Sequence, residues 1–255
     1  MVELNSFKLF DAHFHIIDSR FPLIPNDGYL PGAFTVDDYR QRLKDYDLCG
    51  GAVVSGSFQD YDQSYLIDAL EKLGAGFVGV TQLPATITDQ EIIKLNEKNI
   101  RAIRFNLKRG GSEGIEQLEA MGRHVFDLVG WHTELYVDST QLDSLFDTLI
   151  KLPKVSIDHL GLSRTGFNTL LKLAENDIKI KASGFSRVDF DIAKALKDLY
   201  SVNPACLMFG TDLPSTRAPM PYQDKDYQLL IDTLGEEATH KVLMGNAQAF
   251  YKASL

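Results

Sequence analysis

One pattern runs the length of this chain and leaves few folds open: a short apolar segment followed by an amphipathic helical segment, eight times over. The apolar segments read as strands at residues 7–15, 51–55, 76–81, 100–106, 133–137, 154–158, 178–182 and 205–210. A first helix starts after Thr35, an N-cap with Asp38 three positions on. Further helices read at 61–73, 89–97, 114–129, 142–152, 168–176, 189–199 and 224–234, with 236–251 closing the chain. Apolar strands alternating with helices imply a parallel sheet covered by helices. Eight units in 255 residues are the size of a closed (β/α)8 TIM barrel, so the expected fold class is α/β, as a single domain over 1–255. The rival, an open doubly wound sheet, would carry a Gly-rich phosphate turn. Neither G-x-G-x-x-G nor a Walker sequence follows any strand, which also speaks against a nucleotide or flavin.

Charge narrows the partners. The formal net charge is −9 and no stripe of Lys and Arg stands out, so nucleic acid and anionic membrane surfaces are not expected partners. A few arginines in one pocket would still serve a small anionic substrate. Cys49 and Cys206 lie far apart with no pairing pattern, as in a reduced, cytoplasmic protein. The first residues lack a basic stretch followed by a long apolar run, and no segment reaches the length of a membrane span. Neither export nor an anchor is therefore expected.

A barrel gathers the carboxyl ends of its strands at one mouth, and these ends are polar. In Asp11-Ala12-His13-Phe14-His15, alternation puts His13 and His15 on one side of the strand, the start of a metal or proton-transfer site. The Pro- and Gly-rich stretch 18–34 that follows reads as a long loop shaping that site. His159 follows the sixth strand as a third imidazole. Asp212 follows the last strand, after Gly210, placed as a metal ligand or a base for water. Arg104 and Arg187 suit a substrate carboxylate, since a guanidinium forks onto two oxygens. Ser55, Tyr136 and Lys181 complete the candidate mouth, with Ser57, Thr81, Gln82, Asn106, Asp138, Asp158 and Ser183 beside them. His124, His132 and His240 fall inside a helix, before a strand and on the closing helix, and read as structural.

In combination, the His-x-His, the loop 21–31, Arg104-Phe105-Asn106, His159-Leu160-Gly161, Lys181-Ala182-Ser183-Gly184 and Gly210-Thr211-Asp212-Leu213-Pro214 resemble the amidohydrolase superfamily. They look most like its amidohydrolase 2 branch of 2-pyrone-4,6-dicarboxylate lactonase, sulfomuconolactonase and sugar lactonases. The closing segment 236–251, with a Gly245-Asn246-Ala247 turn, resembles that branch too. The resemblance implies a (β/α)8 barrel that hydrolyses an ester-like or lactone C–O bond. It implies Asp212 as the base for water, with His13, His15 and His159 binding a metal with Asp212 or polarising the carbonyl, and Tyr29, Arg104, Tyr136 and Arg187 holding the substrate. Two departures shape the expectation. The fourth strand ends on Arg104-Phe105-Asn106, where dinuclear members carry a bridging Lys or Glu, and the fifth on Tyr136-Val137-Asp138, where decarboxylases carry a histidine. The expectation is thus a lactonase of a small carboxylated or hydroxylated substrate. It would use at most one divalent ion, zinc first, or none, and a homo-oligomer is left open. The alternatives are a metal-dependent non-oxidative decarboxylase and a catalytically silent barrel that binds a small acid.

Overall fold

The computed structural model describes residues 3–251. Eight strands form one parallel sheet in sequence order: β1 Lys8–Phe14, β2 Asp47–Val54, β3 Phe77–Thr81, β4 Ile100–Asn106, β5 His132–Tyr136, β6 Val155–Ile157, β7 Lys179–Ala182 and β8 Leu207–Phe209. The expected α/β (β/α)8 barrel is what the chain forms. Between the strands run α1 Val36–Arg42, α2 Ser64–Leu73, α3 Asp89–Glu97, α4 Leu118–Val129, α5 Leu142–Leu149, α6 Phe167–Glu175 and α7 Ile192–Val202. After β8 come α8 Asp224–Leu234, α9 Glu236–His240 and α10 Asn246–Tyr251. At the start of α1, Thr35 Oγ1 accepts from the Asp38 amide and the Asp38 carboxylate accepts from the Thr35 amide, the box expected from those two residues.

The ends moved where the backbone turns early. Residues 115–117 form a 3₁₀ turn ahead of α4, and α5 stops at Leu149, short of the expected 152. Gly245-Asn246-Ala247 is no turn: the chain stays helical there, passing through a π-type segment, 241–245, into α10. Asn246 Nδ2 donates to Pro204 O at 3.0 Å and Leu207 O at 2.8 Å, fastening this helix under β8.

Alternation divides the core in two. Leu9, Val53, Phe77, Ile103, Leu135, Ile157, Ile180 and Phe209 pack outward against the helices. Phe10, Ala12, Ala52, Val54, Val78, Val80, Ala102 and Met208 face inward, closed from below by Phe250 and Tyr251 of α10. This apolar interior lines β1–β3, the start of β4 at Ala102, and β8. Beyond Ala102, the inward positions from β4 to β7 include Arg104, His132, Glu134, Ser156, Lys181 and, just past β6, Asp158, all buried, in place of the branched apolar residues that usually fill such barrels.

The seam between β8 and β1 closes the sheet. The Asp212 amide donates to His13 O and the His15 amide to Leu213 O, both at 2.7 Å. Asp11 accepts from the Thr211 amide at 2.8 Å, Thr211 Oγ1 at 2.6 Å and Tyr39 OH of α1 at 3.1 Å. Among the described residues, no helix is long and apolar enough to cross a membrane.

Candidate active site

A bulge in β1 aims the first two imidazoles. The register with β2 slips between Asp11 and Phe14, so Phe14 joins the outer core, stacked on Tyr39 at 3.8 Å, while His13 and His15 turn inward beside Ala12. Asp11 therefore lies outside the barrel wall, although simple alternation would place it with the histidines. Two tight turns bring the other groups. His159 opens the turn after β6 with φ +51°, and Asp212 lies three residues past β8 with φ +59°, so both side chains leave left-handed backbone. Gly210 lets β8 lie flush against β1: a Cβ there would stand 2.7 Å from His13 N and Cβ.

These elements bring His13, His15, His159 and Asp212 together. Their Nε2 atoms lie 3.9, 3.7 and 3.8 Å from Asp212 Oδ1, and all four residues are buried. Each ring is held from behind. His15 Nδ1 donates to Val54 O at 2.7 Å, which leaves its Nε2 lone pair facing the carboxylate when the ring is neutral. His159 Nδ1 bonds Ser183 Oγ at 2.9 Å. His13 Nδ1 lies 3.3 Å from both Asp158 Oδ1 and Lys181 Nζ. Burial drives His13 down to about 4 against the pull of Asp158, and carries His159 well below its ordinary value against Asp212, so both are neutral at pH 7. Burial alone would raise Asp212, but the Arg187 guanidinium, its Nε 2.7 Å from Oδ2, and then His159 hold the carboxyl well below the usual range.

His13 Nε2 and Asp212 Oδ1 have no hydrogen-bond partner although both are buried. Acceptor atoms that converge on a common point need a cation or a donor there. Bonds of about 2.0–2.1 Å to zinc put tetrahedral ligand atoms about 3.4 Å apart, so the observed gaps would close by a few tenths of an ångström. His13, His159 and Asp212 thus fit a divalent ion, with His15 at hand.

Above this centre opens a mouth of about 380 Å³, lined by His15, Arg104, Asn106, Tyr136, His159, Arg187 and Asp212 among others. Arg104 is tied to Asp158 at 2.8 Å and to Ser55 O at 2.6 Å. Tyr29 sits at the rim with its ring 4.4 Å from the Arg217 guanidinium. Two candidates lie elsewhere: the Ser55 hydroxyl turns into the wall to bond Tyr65 OH at 2.6 Å, and Lys181 is fully buried below the mouth. His124 pairs with Asp89 on the surface, His132 with Glu134 inside the barrel, and His240 packs on Phe7. Arg109, Arg217 and Ser57 also line the mouth. Ser57 is one of the expected strand-end residues, whereas Arg109 and Arg217 sit on loops with no periodicity to mark them, Arg109 three residues past β4 and Arg217 eight past β8.

The structure thus defines a (β/α)8 barrel with an imidazole–carboxylate centre at the carboxyl ends of β1, β6 and β8, under an arginine-lined mouth. The chain belongs to the amidohydrolase family, whose model matches residues 10–253. It is 30% identical over 159 residues to a protein of Comamonas testosteroni named "2-pyrone-4,6-dicarbaxylate hydrolase", covering 59% of this chain and 51% of that one, about half its length. It is 25% identical to a D-galactarolactone isomerase of Agrobacterium fabrum, over 96% of this chain and 91% of that protein, and 22% identical to a 4-sulfomuconolactone hydrolase of Hydrogenophaga intermedia, over 94% and 88%. Among solved structures, a probable 2-pyrone-4,6-dicarboxylic acid hydrolase of Acinetobacter baumannii, with citric acid bound, shares the fold with a TM-score of 0.83 at 21% identity, over 96% of this chain and 99% of that one.

Proposed function

We propose that the chain is a lactonase in which Asp212 takes a proton from water and the hydroxide adds to the carbonyl of a small carboxylated lactone. The observation that carries this reading is Asp212 Oδ1 itself, buried, unpartnered and ringed by three imidazole nitrogens under the arginine-lined mouth. Arg187 holds Oδ2 and so turns Oδ1 toward the water. Neutral imidazoles can hold that water or donate to the developing oxyanion. The tetrahedral adduct collapses, the ring C–O bond breaks, and the leaving alkoxide takes the proton that Asp212 had accepted from water. A divalent ion, zinc first, held by His13, His159 and Asp212 with His15, would supply Lewis-acid polarisation of the carbonyl and an acidified water.

Charge supports a substrate that carries carboxylates. Arg104 and Arg187 are balanced by Asp158 and Asp212, whereas Arg217 hydrogen-bonds the neutral Asn26 and, among the described residues, no carboxylate pairs with Arg109. Two uncompensated guanidiniums at the rim suit a dianion, with Tyr29 and Tyr136 beside them. The relatives point the same way, two of them having a lactone in their names. For decarboxylation, the end of β5 offers Tyr136 in place of an imidazole. The test is lactone hydrolysis by the parent chain and by Asp212→Asn, with elemental analysis before and after chelation. Asp212→Asn should fold and lose at least about a hundredfold in kcat, the scale of a lost acid–base group. An Asn variant of full activity would refute the reading.

A further inference from the structure

Below the mouth lies a second constellation that the proposed hydrolysis leaves unused. Glu134 and Asp158 are both fully buried, and each has one oxygen fastened from outside. His132 Nε2 donates to Glu134 Oε1 at 2.8 Å and Tyr251 OH donates to the same oxygen, while Arg104 Nη2 donates to Asp158 Oδ2 at 2.8 Å. That leaves Glu134 Oε2 and Asp158 Oδ1 facing inward, toward His13 Nδ1. The three residues can offer ligand atoms within 4.8 Å of one another, and Asp158 Oδ1 has no hydrogen-bond partner. Carboxylates steered by outer donors onto one point, with an imidazole, are the architecture of a cation site. At that point stands the Lys181 ammonium: it donates to Glu134 Oε2 and lies 3.3 Å from His13 Nδ1 and 3.6 Å from Asp158 Oδ1.

We propose that this is a second cation position, filled by the chain's own Lys181, and that from it Lys181 positions His13. The ammonium balances two carboxylates that would otherwise be buried without enough countercharge, and its tether fixes it beneath the imidazole. Lys181 holds the Asp158 carboxylate against His13, whose Nδ1–H faces Asp158 Oδ1 at 3.3 Å, and so keeps the Nε2 lone pair turned toward Asp212. Lys181 is thus a positioning residue and not the substrate contact its place at a strand end suggested. A second divalent ion finds the lower position taken.

Two measurements separate these roles. In the first, cobalt(II) binding is counted by equilibrium dialysis and followed by d–d absorption. Lys181→Ala should bind one more ion per chain than the parent, and adding Glu134→Gln should abolish the extra ion. A folded Lys181→Ala chain with the parent's stoichiometry overturns the cation position. In the second, Lys181→Met should lower kcat by about 10–100-fold, the usual loss when a partner behind a ligand is removed, with KM within about threefold of the parent. A raised KM at nearly unchanged kcat would instead mean that Lys181 touches substrate, and would overturn the positioning role. Should Lys181→Ala not fold, Glu134→Gln alone decides. It loosens the ammonium from the other side and should also lower kcat at constant KM; parent-like kinetics overturns the proposal. The kinetic arm rests on the proposed hydrolysis, whereas the cobalt count does not, so failure of one is told apart from failure of the other.

Discussion

Asp11 offers a test of the seam that closes the barrel. Its carboxylate is fully buried and, among the described residues, has no cationic partner; it accepts from Thr211, Tyr39 and, at 3.3 Å, the His13 amide. Burial raises its pKa from 3.8 to about 6, more than those donors lower it. For a carboxyl raised on folding, the folded state keeps its proton while the unfolded chain ionises. The folded state is therefore penalised progressively as pH climbs from about 4 to about 6, and fully above that. A shift of about two units at 1.36 kcal/mol each gives a penalty of about 3 kcal/mol at pH 7. Asp11→Asn keeps the shape and one acceptor, and its amide donates where Thr211 Oγ1 or Tyr39 OH reverses to accept. Urea unfolding of both proteins between pH 4 and 8 isolates the effect, because every other titrating group is common to the two. The stability of the parent minus that of Asp11→Asn should fall by about 3 kcal/mol over that range. A difference flat with pH would refute the reasoning, and would mean that the four donors keep the folded carboxyl as acidic as the unfolded one.

Two further outcomes follow from the geometry. Gly210→Ala drives a Cβ against the backbone and Cβ of His13, which cannot swing aside; it should cost about 1–3 kcal/mol in thermal unfolding and displace the His13 ring, with a matching loss of kcat. Arg109→Ala removes a guanidinium with no carboxylate partner among the described residues. With a dicarboxylated lactone, KM should rise about 10–100-fold, the worth of about 1.5–3 kcal/mol for a charge-assisted hydrogen bond, while kcat holds; an unchanged KM would place the substrate's carboxylates elsewhere.

The strands and helices were legible because each repeats a periodicity that the parallel sheet enforces. Residues 89–97, 100–106 and 224–234 lie where the pattern puts them. The centre was legible as well, since His13, His15, His159 and Asp212 all follow apolar runs, and a barrel can only carry such residues to one end. What the pattern does not carry is phase and depth. The bulge that sends Asp11 outward and His13 inward is a matter of register between two strands, and a single strand's sequence does not record it. Ser55 and Lys181 stand at strand ends like true mouth residues, yet one faces outward and the other sits a layer too deep. Glu134 sits in mid-strand beside Leu135, where an ionised side chain is expected only if its partners, Lys181, His132 and Tyr251, are already known.

The seam also imposes an order on the chain's own synthesis. Asp11 waits for Thr211, 200 positions later, and Glu134 for Tyr251, 117 positions later. At about 5–20 residues per second, β1 passes on the order of ten seconds or more with one edge unpaired and its imidazoles without their carboxylate. During that interval the nascent chain is a partly built sheet with the imidazoles of His13 and His15 unpartnered, and the arrival of β8 and residues 211–213 is the event that closes the barrel.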